Sequence, residues 1–335
     1  MMKGINVDEF LDKFQASDFD IRVTHDARYV DQKCTPDIVC FIADCIVGTS
    51  CINKRFTIND LWDEKYFSEN CRVIFGKPSP EDPSARNEYN KVLSQPLKLL
   101  AYAHVLEVEK VKRVLVFHVA NVDMLDFISM RERNAYNFMY SFFMRVVRNS
   151  GIMRFFEEYK ENCGADAKSA RATIYEKYHR FISGNTPSKS KTDVDRIFHK
   201  VFNVFAFHEM LPGSQGKVLS LSDLMYNKVN MRDINRKEKS LTRSEGKKVM
   251  PETINEGFYI TYQVNKAIRM VREKQGKVSE VRDELAMGVA TEVHHIFPKS
   301  EFPELASYFE NLILLTSSQH RQKAHPNSKF QLVDK

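Results

Sequence analysis

Four of the ten histidines of this 335-residue chain stand near its end, at His294, His295, His320 and His325. An imidazole titrates near neutrality, so it can take or give a proton at physiological pH, and its lone pair can hold a metal ion. The stretch from Glu292 to His325 reads EVHHIFPKSEFPELASYFENLILLTSSQHRQKAH. Two chemistries suit such a cluster. One is hydrolysis, in which a neutral imidazole activates water and a divalent cation stabilises charge on a phosphate and its leaving oxygen. The other is a closed zinc site, which favours four tetrahedral His or Cys ligands.

The elements that must carry these residues are readable. Residues 291–297 suit a short strand ended by Pro298, and 311–315 (Asn-Leu-Ile-Leu-Leu) a second strand. Adjacent strand residues point to opposite faces, so His294 and His295 cannot both face one small ion in regular pleating. Two roles for the pair are more natural than one. Thr316 or Ser317 can cap a short helix carrying Gln319 to Ala324, with Pro326 just beyond its end. One histidine of the pair and His320 then converge at the helix start, and His325 lies slightly more than a turn further on.

This strand, loop, strand and helix resembles the HNH (ββα-metal, His-Me finger) nucleases. The resemblance rests on the adjacent histidines, Asn311 between the pairs, and His320, and it covers about a tenth of the chain. It implies that His294 is a metal ligand, His295 the general base, Asn311 the residue bracing the hairpin, and His320 a ligand on the helix. His325 is a further ligand candidate, although a spacing of five falls off a helix face unless the helix ends early. The implied cofactor is a divalent metal. Oxygen-rich shells favour magnesium, while an all-nitrogen set also takes manganese, nickel, cobalt or zinc, and phosphate oxygens and water complete the shell.

Composition bounds the rest. The chain is long enough for two or three domains. Its hydrophobic content of 43% supports a substantial core, and a net charge of +6 leans toward a polyanionic partner. The six cysteines, Cys34, Cys40, Cys45, Cys51, Cys71 and Cys163, form no CxxC pair and read as buried reduced thiols. No stretch has the length and apolarity of a membrane span, and the first residues lack an apolar signal core. These features predict a cytoplasmic protein.

The predicted fold class is α+β, mainly helical, with an N-terminal module of winged-helix outline, a helical middle and a C-terminal ββα-metal module. Residues 1–122 form the first region. It opens with a short helix over 5–15 and a strand over 19–23. A helix then begins at Thr35-Pro36-Asp37, with Ile38, Phe41, Ile42 and Cys45 on one face, and ends at Gly48. A second starts at Thr57, a third runs from residue 84 toward 106 with Pro96 kinking or breaking it, and a strand pair follows. Helices followed by a hairpin outline a winged helix, or equally a plain structural domain. In the first case Asn87, Lys91, Gln95 and Lys98 are the candidate groove-facing residues; a solvated polar face is the alternative.

Residues 123–212 read as a helical block, opening with one long aromatic-rich helix over 124–149. Residues 213–256 change character. Between 213 and 248 nine cations face four acids, a local net of +5, with Tyr226, Asn227, Asn230 and Asn235 interleaved. Lys228, Arg232, Arg236, Lys237 and Lys239 are candidate phosphate contacts, unless the stretch is a solvated linker. Residues 257–335 form the nuclease-like region, with a supporting helix over 257–276 and a short one over 279–287.

The letters Pro36-Asp37 and Asp63-Glu64-Lys65 also match a PD-(D/E)xK site. That site is normally built on a β-hairpin, whereas both segments here read as helical. The leading expectation is a metal-dependent endonuclease acting on double-stranded DNA. By its resemblance and length it is most like a type II restriction enzyme of a bacterial host, working as a homodimer. A homing, phage-defence or modification-dependent HNH nuclease is one alternative, and a non-enzymatic DNA-binding protein with structural zinc another.

Overall fold

A computed structural model describes residues 5–75, 83, 86–226 and 253–324. The chain folds as two compact units, residues 1–250 and 251–335. It is mixed α and β and mainly helical.

The first unit opens with two short helices, α1 (Val7–Leu11) and α2 (Ile21–Thr24), and is built around helix α3 (Pro36–Val47), which is buried from Pro36 to Ile46. A helix apolar on every side belongs inside, and the expected face of Ile38, Phe41, Ile42 and Cys45 is only part of its buried circumference. Its start follows the sequence: Thr35 is extended at the N-cap, Pro36 supplies a preset φ at the first position, and Gly48 ends the helix. The Thr35 hydroxyl, however, makes no capping bond. Helices α6 (Arg86–Tyr102), α7 (Val122–Met130) and α8 (Glu132–Asn149) pack on α3, so residues after 122 share the core of those before it. All six cysteines are buried and none forms a disulfide.

A three-stranded antiparallel sheet flanks this core. Strand β1 (Phe56–Thr57) pairs with β3 (Val114–Val119), which pairs with β2 (Leu106–Val111), giving the order β1-β3-β2. Phe56 lies opposite Phe117 with rings 5.9 Å apart, fixing the inward face. Helix α4 (Ile58–Trp62) leaves β1 directly. A capping box starts it, in which Thr57 accepts from the Asp60 amide at 3.2 Å and Asp60 accepts from the Thr57 amide at 2.7 Å. Helix α5 (Lys65–Phe75) follows.

Several local expectations change. The strand expected over 19–23 is a 3-10 turn (Ala16–Phe19) followed by a short helix (Ile21–Thr24), because Asp20 caps it by accepting from the Arg22 amide. Pro96 does not break α6, which runs through it. The lost amide bond is outweighed by burial of Val92, Leu93, Pro96, Leu97 and Leu100 on that helix. The single helix expected over 124–149 is two, α7 and α8, because Arg131 between them is extended (φ −147°). Helix α9 (Met153–Asn185) bends at Asp166, whose carboxylate accepts from the Lys168 and Ser169 amides and caps the second half. Aromatic rings pack α9 against α10 (Lys191–His208), among them Tyr159, Tyr178, Phe198 and Phe202.

A charged cluster lies partly buried in the first unit. Lys33 is 1% exposed, and its ammonium contacts the Glu88 carboxylate and donates to the Tyr226 hydroxyl at 2.6 Å. The Tyr226 hydroxyl also donates to Glu88 at 2.8 Å, and its backbone amide donates to both Asp37 carboxylate oxygens at 3.0 and 2.9 Å. Buried charges persist only when paired and hydrogen-bonded in this way. Asp37 is thus occupied on α3, while Asp63 caps the end of α4 and Lys65 pairs with Glu69 on α5. None of the three lies on a hairpin.

The second unit consists of a long helix, α11 (Thr253–Lys274), and an antiparallel hairpin of β4 (Ala290–His295) and β5 (Leu312–Thr316). Its described residues close with a short helix, α12 (Ser317–Gln319), that runs into one wider turn (His320–Ala324). Ala267 and Val271 from α11 pack with Ala290, Leu312 and Leu314 from the hairpin. The short helix expected over 279–287 is absent. Ser279 and Asp283 instead accept from the Val281 and Leu285 amides, the local competition with helical bonding that such side chains favour.

Candidate active site

The hairpin places the adjacent histidines by its register. His294 lies opposite Ile313 and His295 opposite Leu312, one to each face. His294 is buried, 8% exposed, whereas His295 is partly exposed. Across the hairpin, α12 begins with a reciprocal cap. Thr316 Oγ1 accepts from the Gln319 amide at 3.2 Å, and Gln319 Oε1 accepts from the Thr316 amide at 3.0 Å. This cap sets the direction of the following turn and brings His320 to His294, their rings edge to face with centroids 5.3 Å apart.

That spacing suits one shared cation. A metal about 2 Å from an imidazole nitrogen lies a little over 3 Å from the ring centre by ring geometry. Two such rings around one ion therefore sit roughly 5 Å apart. Among the described residues no group of three or more His, Cys, Asp or Glu side chains is arranged to hold a metal. The protein donors placed together are His294 and His320, and His325 lies outside the described residues. Two imidazoles leave coordination positions for water and phosphate oxygens.

His295 is held by a different contact. Its Nε2 lies 3.0 Å from the Ala306 carbonyl oxygen. A carbonyl can only accept, so Nε2 carries the hydrogen, and in the neutral ring Nδ1 carries the lone pair. Asn311 fixes the loop that provides this carbonyl. Its Oδ1 accepts from the Phe297 amide at 2.7 Å, and its Nδ2 donates to the Phe297 and Leu305 carbonyls, each at 3.1 Å. Asn311 is 3% exposed, and its own carbonyl accepts from the Ile296 amide at 2.9 Å. One side chain thus closes both ends of the loop between the strands.

A second layer of contacts was not foreseen. Ser279 Oγ donates to Gln319 Oε1 at 2.6 Å, and Gln319 Nε2 donates to the Val281 carbonyl and Asp283 Oδ1, both at 2.9 Å. Glu280 joins the edge of β5, its amide donating to the Leu314 carbonyl at 3.0 Å and its carboxylate accepting from the Leu314 amide at 2.8 Å. Lys323 bridges Asp283 at 3.1 Å and Glu284 at 3.0 Å. Burial alone would raise the Asp283 carboxyl, but bonds from Lys323 and Gln319 outweigh it and hold it below the ordinary aspartate range. The capping pattern Thr316-x-x-Gln319 was the signal available for part of this; Ser279, forty positions away from Gln319, offered none.

The candidate groove-facing residues of the first unit divide. Asn87, Lys91 and Lys98 are exposed on α6. Gln95 is half-buried, and its amide oxygen accepts from the Lys33 backbone amide at 2.7 Å. Each four-residue step rotates about 40° around a helix of 3.6 residues per turn, so by Gln95 the row has turned toward the core. Lys228, Arg232, Arg236, Lys237 and Lys239 lie outside the described residues. No helix of the described residues is long and apolar enough to cross a membrane. No protein-family model, no curated protein and no solved structure matches the chain.

Proposed function

We propose that the chain is a metal-dependent endonuclease that hydrolyses phosphodiester bonds of double-stranded DNA through an HNH-type site. The observation that carries this reading is the meeting of His320 with buried His294, which is next in the chain to an imidazole, His295, whose tautomer is set by the Ala306 carbonyl. A divalent cation held by His294 and His320 would supply positive charge to the scissile phosphate and its leaving oxygen. Magnesium is the first choice, with manganese, nickel, cobalt and zinc also suited to nitrogen ligands.

His295 acts as general base. Its Nδ1 takes a proton from water as the water oxygen bonds to phosphorus. The bond from phosphorus to the 3′-oxygen breaks, that oxygen takes a proton from solvent, and the ends are a 5′-phosphate and a 3′-hydroxyl. The Ala306 carbonyl stabilises the imidazolium that forms, since its partner Nε2 remains a donor throughout. Asn311 is a positioning residue: it holds the loop from which that carbonyl projects.

The first unit serves recognition in this reading. Its order α3, β1, α4, α5, α6, β2, β3 and its sheet order β1-β3-β2 support reading it as a winged-helix-like module with one helix added. The basic stretch that includes Arg232 and Arg236 then adds phosphate contacts. A type II restriction enzyme working as a homodimer accounts for the size of the portion outside the site, because one such centre cuts one strand and a palindrome matches two-fold symmetry.

Incubating the purified protein with plasmid and phage DNA in magnesium, manganese or EDTA tests this reading, with His295→Ala as the control. Discrete metal-dependent fragments that vanish with the variant are expected. A smear would keep the chemistry and remove the site specificity. Equal cutting by His295→Ala would remove the general base. Cutting of modified DNA only would favour the phage-defence class. No cutting of any DNA, with one tightly held zinc per chain whose removal unfolds the second unit, would replace the nuclease by a zinc-stabilised binding protein.

A further inference from the structure

A cleft of about 700 Å³ opens on the first unit between α4, the start of α6 and the tip of the β2–β3 hairpin, lined by Asn59, Trp62, Asp63, Arg86, Asn90 and Arg113. Arg86 comes from the first turn of α6 and Arg113 from the hairpin turn, so two guanidinium groups from separate elements line one opening. None of the ion pairs among the described residues uses either one, and Asp63 at the cleft is not within pairing distance of them.

Acids stand on the α4 side of the cleft, Asp63 in its lining and Asp60 beside it, whereas the α6 and hairpin-turn sides are basic. The exposed positions of α6 are Arg86, Asn87, Asn90, Lys91 and Lys98, with no carboxylate among them. The acid on that helix, Glu88, is turned inward to Lys33. The hairpin turn joins Val111 to Val114 through Lys112 and Arg113, and Lys112 adopts a left-handed conformation (φ 59°). Glycine or asparagine meets that requirement at lower cost. The turn therefore presents two adjacent cations where local preference asks for neither.

We propose that this cleft grips the sugar-phosphate backbone of duplex DNA, with Arg86 and Arg113 pairing with phosphates on its two walls. Planar guanidinium groups match phosphate oxygens two at a time. The carboxamides of Asn59 and Asn90 line the same cleft and suit sugar or base edges. The cleft adds Arg86, Arg113, Asn59 and Asn90 to the recognition surface, and it places the hairpin tip against the duplex alongside α6. The inference rests on the reading of the chain as a DNA enzyme.

The test uses the full chain with His295→Ala, which binds without cutting, and a fluorescent duplex titrated across a salt series. Adding Arg86→Ala and Arg113→Ala together should weaken affinity at least about tenfold and reduce the slope of log K against log salt by about 1.8, since each phosphate contact contributes about 0.9. Arg86→Lys with Arg113→Lys should recover most of the slope, because charge is kept. Both arginines are exposed, so the melting temperature should not move. An unchanged slope in the alanine pair, with the parent still binding duplex DNA, would overturn the cleft and leave the nuclease reading standing. A parent that binds no duplex at all would sink that reading itself. Preference for duplex RNA over DNA would overturn the assignment of the partner.

Discussion

His295 and Asn311 are joined through one dipeptide: Asn311 Nδ2 donates to the Leu305 carbonyl, and the next carbonyl, that of Ala306, receives His295 Nε2. In the proposed mechanism His295 and Asn311 would therefore act as a unit. Replacing Asn311 with Ala removes three buried hydrogen bonds and should cost about 2–4 kcal/mol of stability. It should also slow cutting at saturating DNA while leaving DNA affinity nearly unchanged. The effects of Asn311→Ala and His295→Ala on rate should not add, since both remove the same oriented base. Single-turnover cleavage of the two single variants and the double variant decides this. A double variant far slower than His295→Ala would separate the two residues.

His294 and His320 should share one ion. Either His→Ala change should raise the metal concentration for half-maximal cutting by at least about tenfold, in the range that weakened metal sites show. Titration calorimetry with manganese in the absence of DNA gives a readout independent of turnover. Unaltered metal affinity in both variants would remove the pair as ligands.

The start of α12 depends on Thr316, which accepts from the Gln319 amide and donates to the Leu285 carbonyl at 2.8 Å. Thr316→Val keeps the shape and removes both bonds. The expected loss is about 1–2 kcal/mol, with faster amide exchange concentrated at residues 281–285 and 317–324. Exchange rising evenly over the whole second unit would instead mean global destabilisation.

The bridge from Lys323 to Asp283 and Glu284 predicts a shape for stability against pH. Both carboxyls are held low, Glu284 by its own backbone amide and by Lys323, while the Lys323 ammonium is raised by the two acids. The acid contribution is complete above the ordinary carboxyl values of 3.8 and 4.5 and is lost as pH falls through the lowered folded values. The lysine contribution is complete below 10.5 and is lost as pH rises through its raised value. The difference in melting temperature between the native chain and Lys323→Met should be flat between these limits and shrink at both ends. A difference that varies through the neutral range would assign the effect to another group.

Elements with strong local signals were legible. The hairpin strands announce themselves through Ala290–His295 and the apolar run Leu312–Thr316, and α3 through Thr35, Pro36 and Gly48. Where a side chain takes a nearby backbone amide, or bonds far along the chain, the local reading failed. Asp20 caps a short helix where a strand was expected, Arg131 splits one helix by extending, and Ser279 and Asp283 hold a coil where a helix was expected. The inward turn of Gln95 depends on the Lys33 amide, 62 positions away. Within the site, the histidines were visible by type and spacing. The Ala306 carbonyl, which decides what His295 can do, was not, because a backbone atom carries no sequence signature.

The partly buried cluster of Lys33, Glu88, Asp37 and Tyr226 has a practical consequence for dissecting the protein. The change in composition at residue 213 invites a clone that stops at 212. Such a fragment would strip Asp37 of the two amide contacts from Tyr226 and leave Lys33 without its phenol. Those carboxylate and ammonium groups would then face solvent-starved space with fewer partners. A fragment of the first unit that folds by itself should retain the chain through Tyr226, and one cut at 212 should express poorly or require high salt to stay in solution.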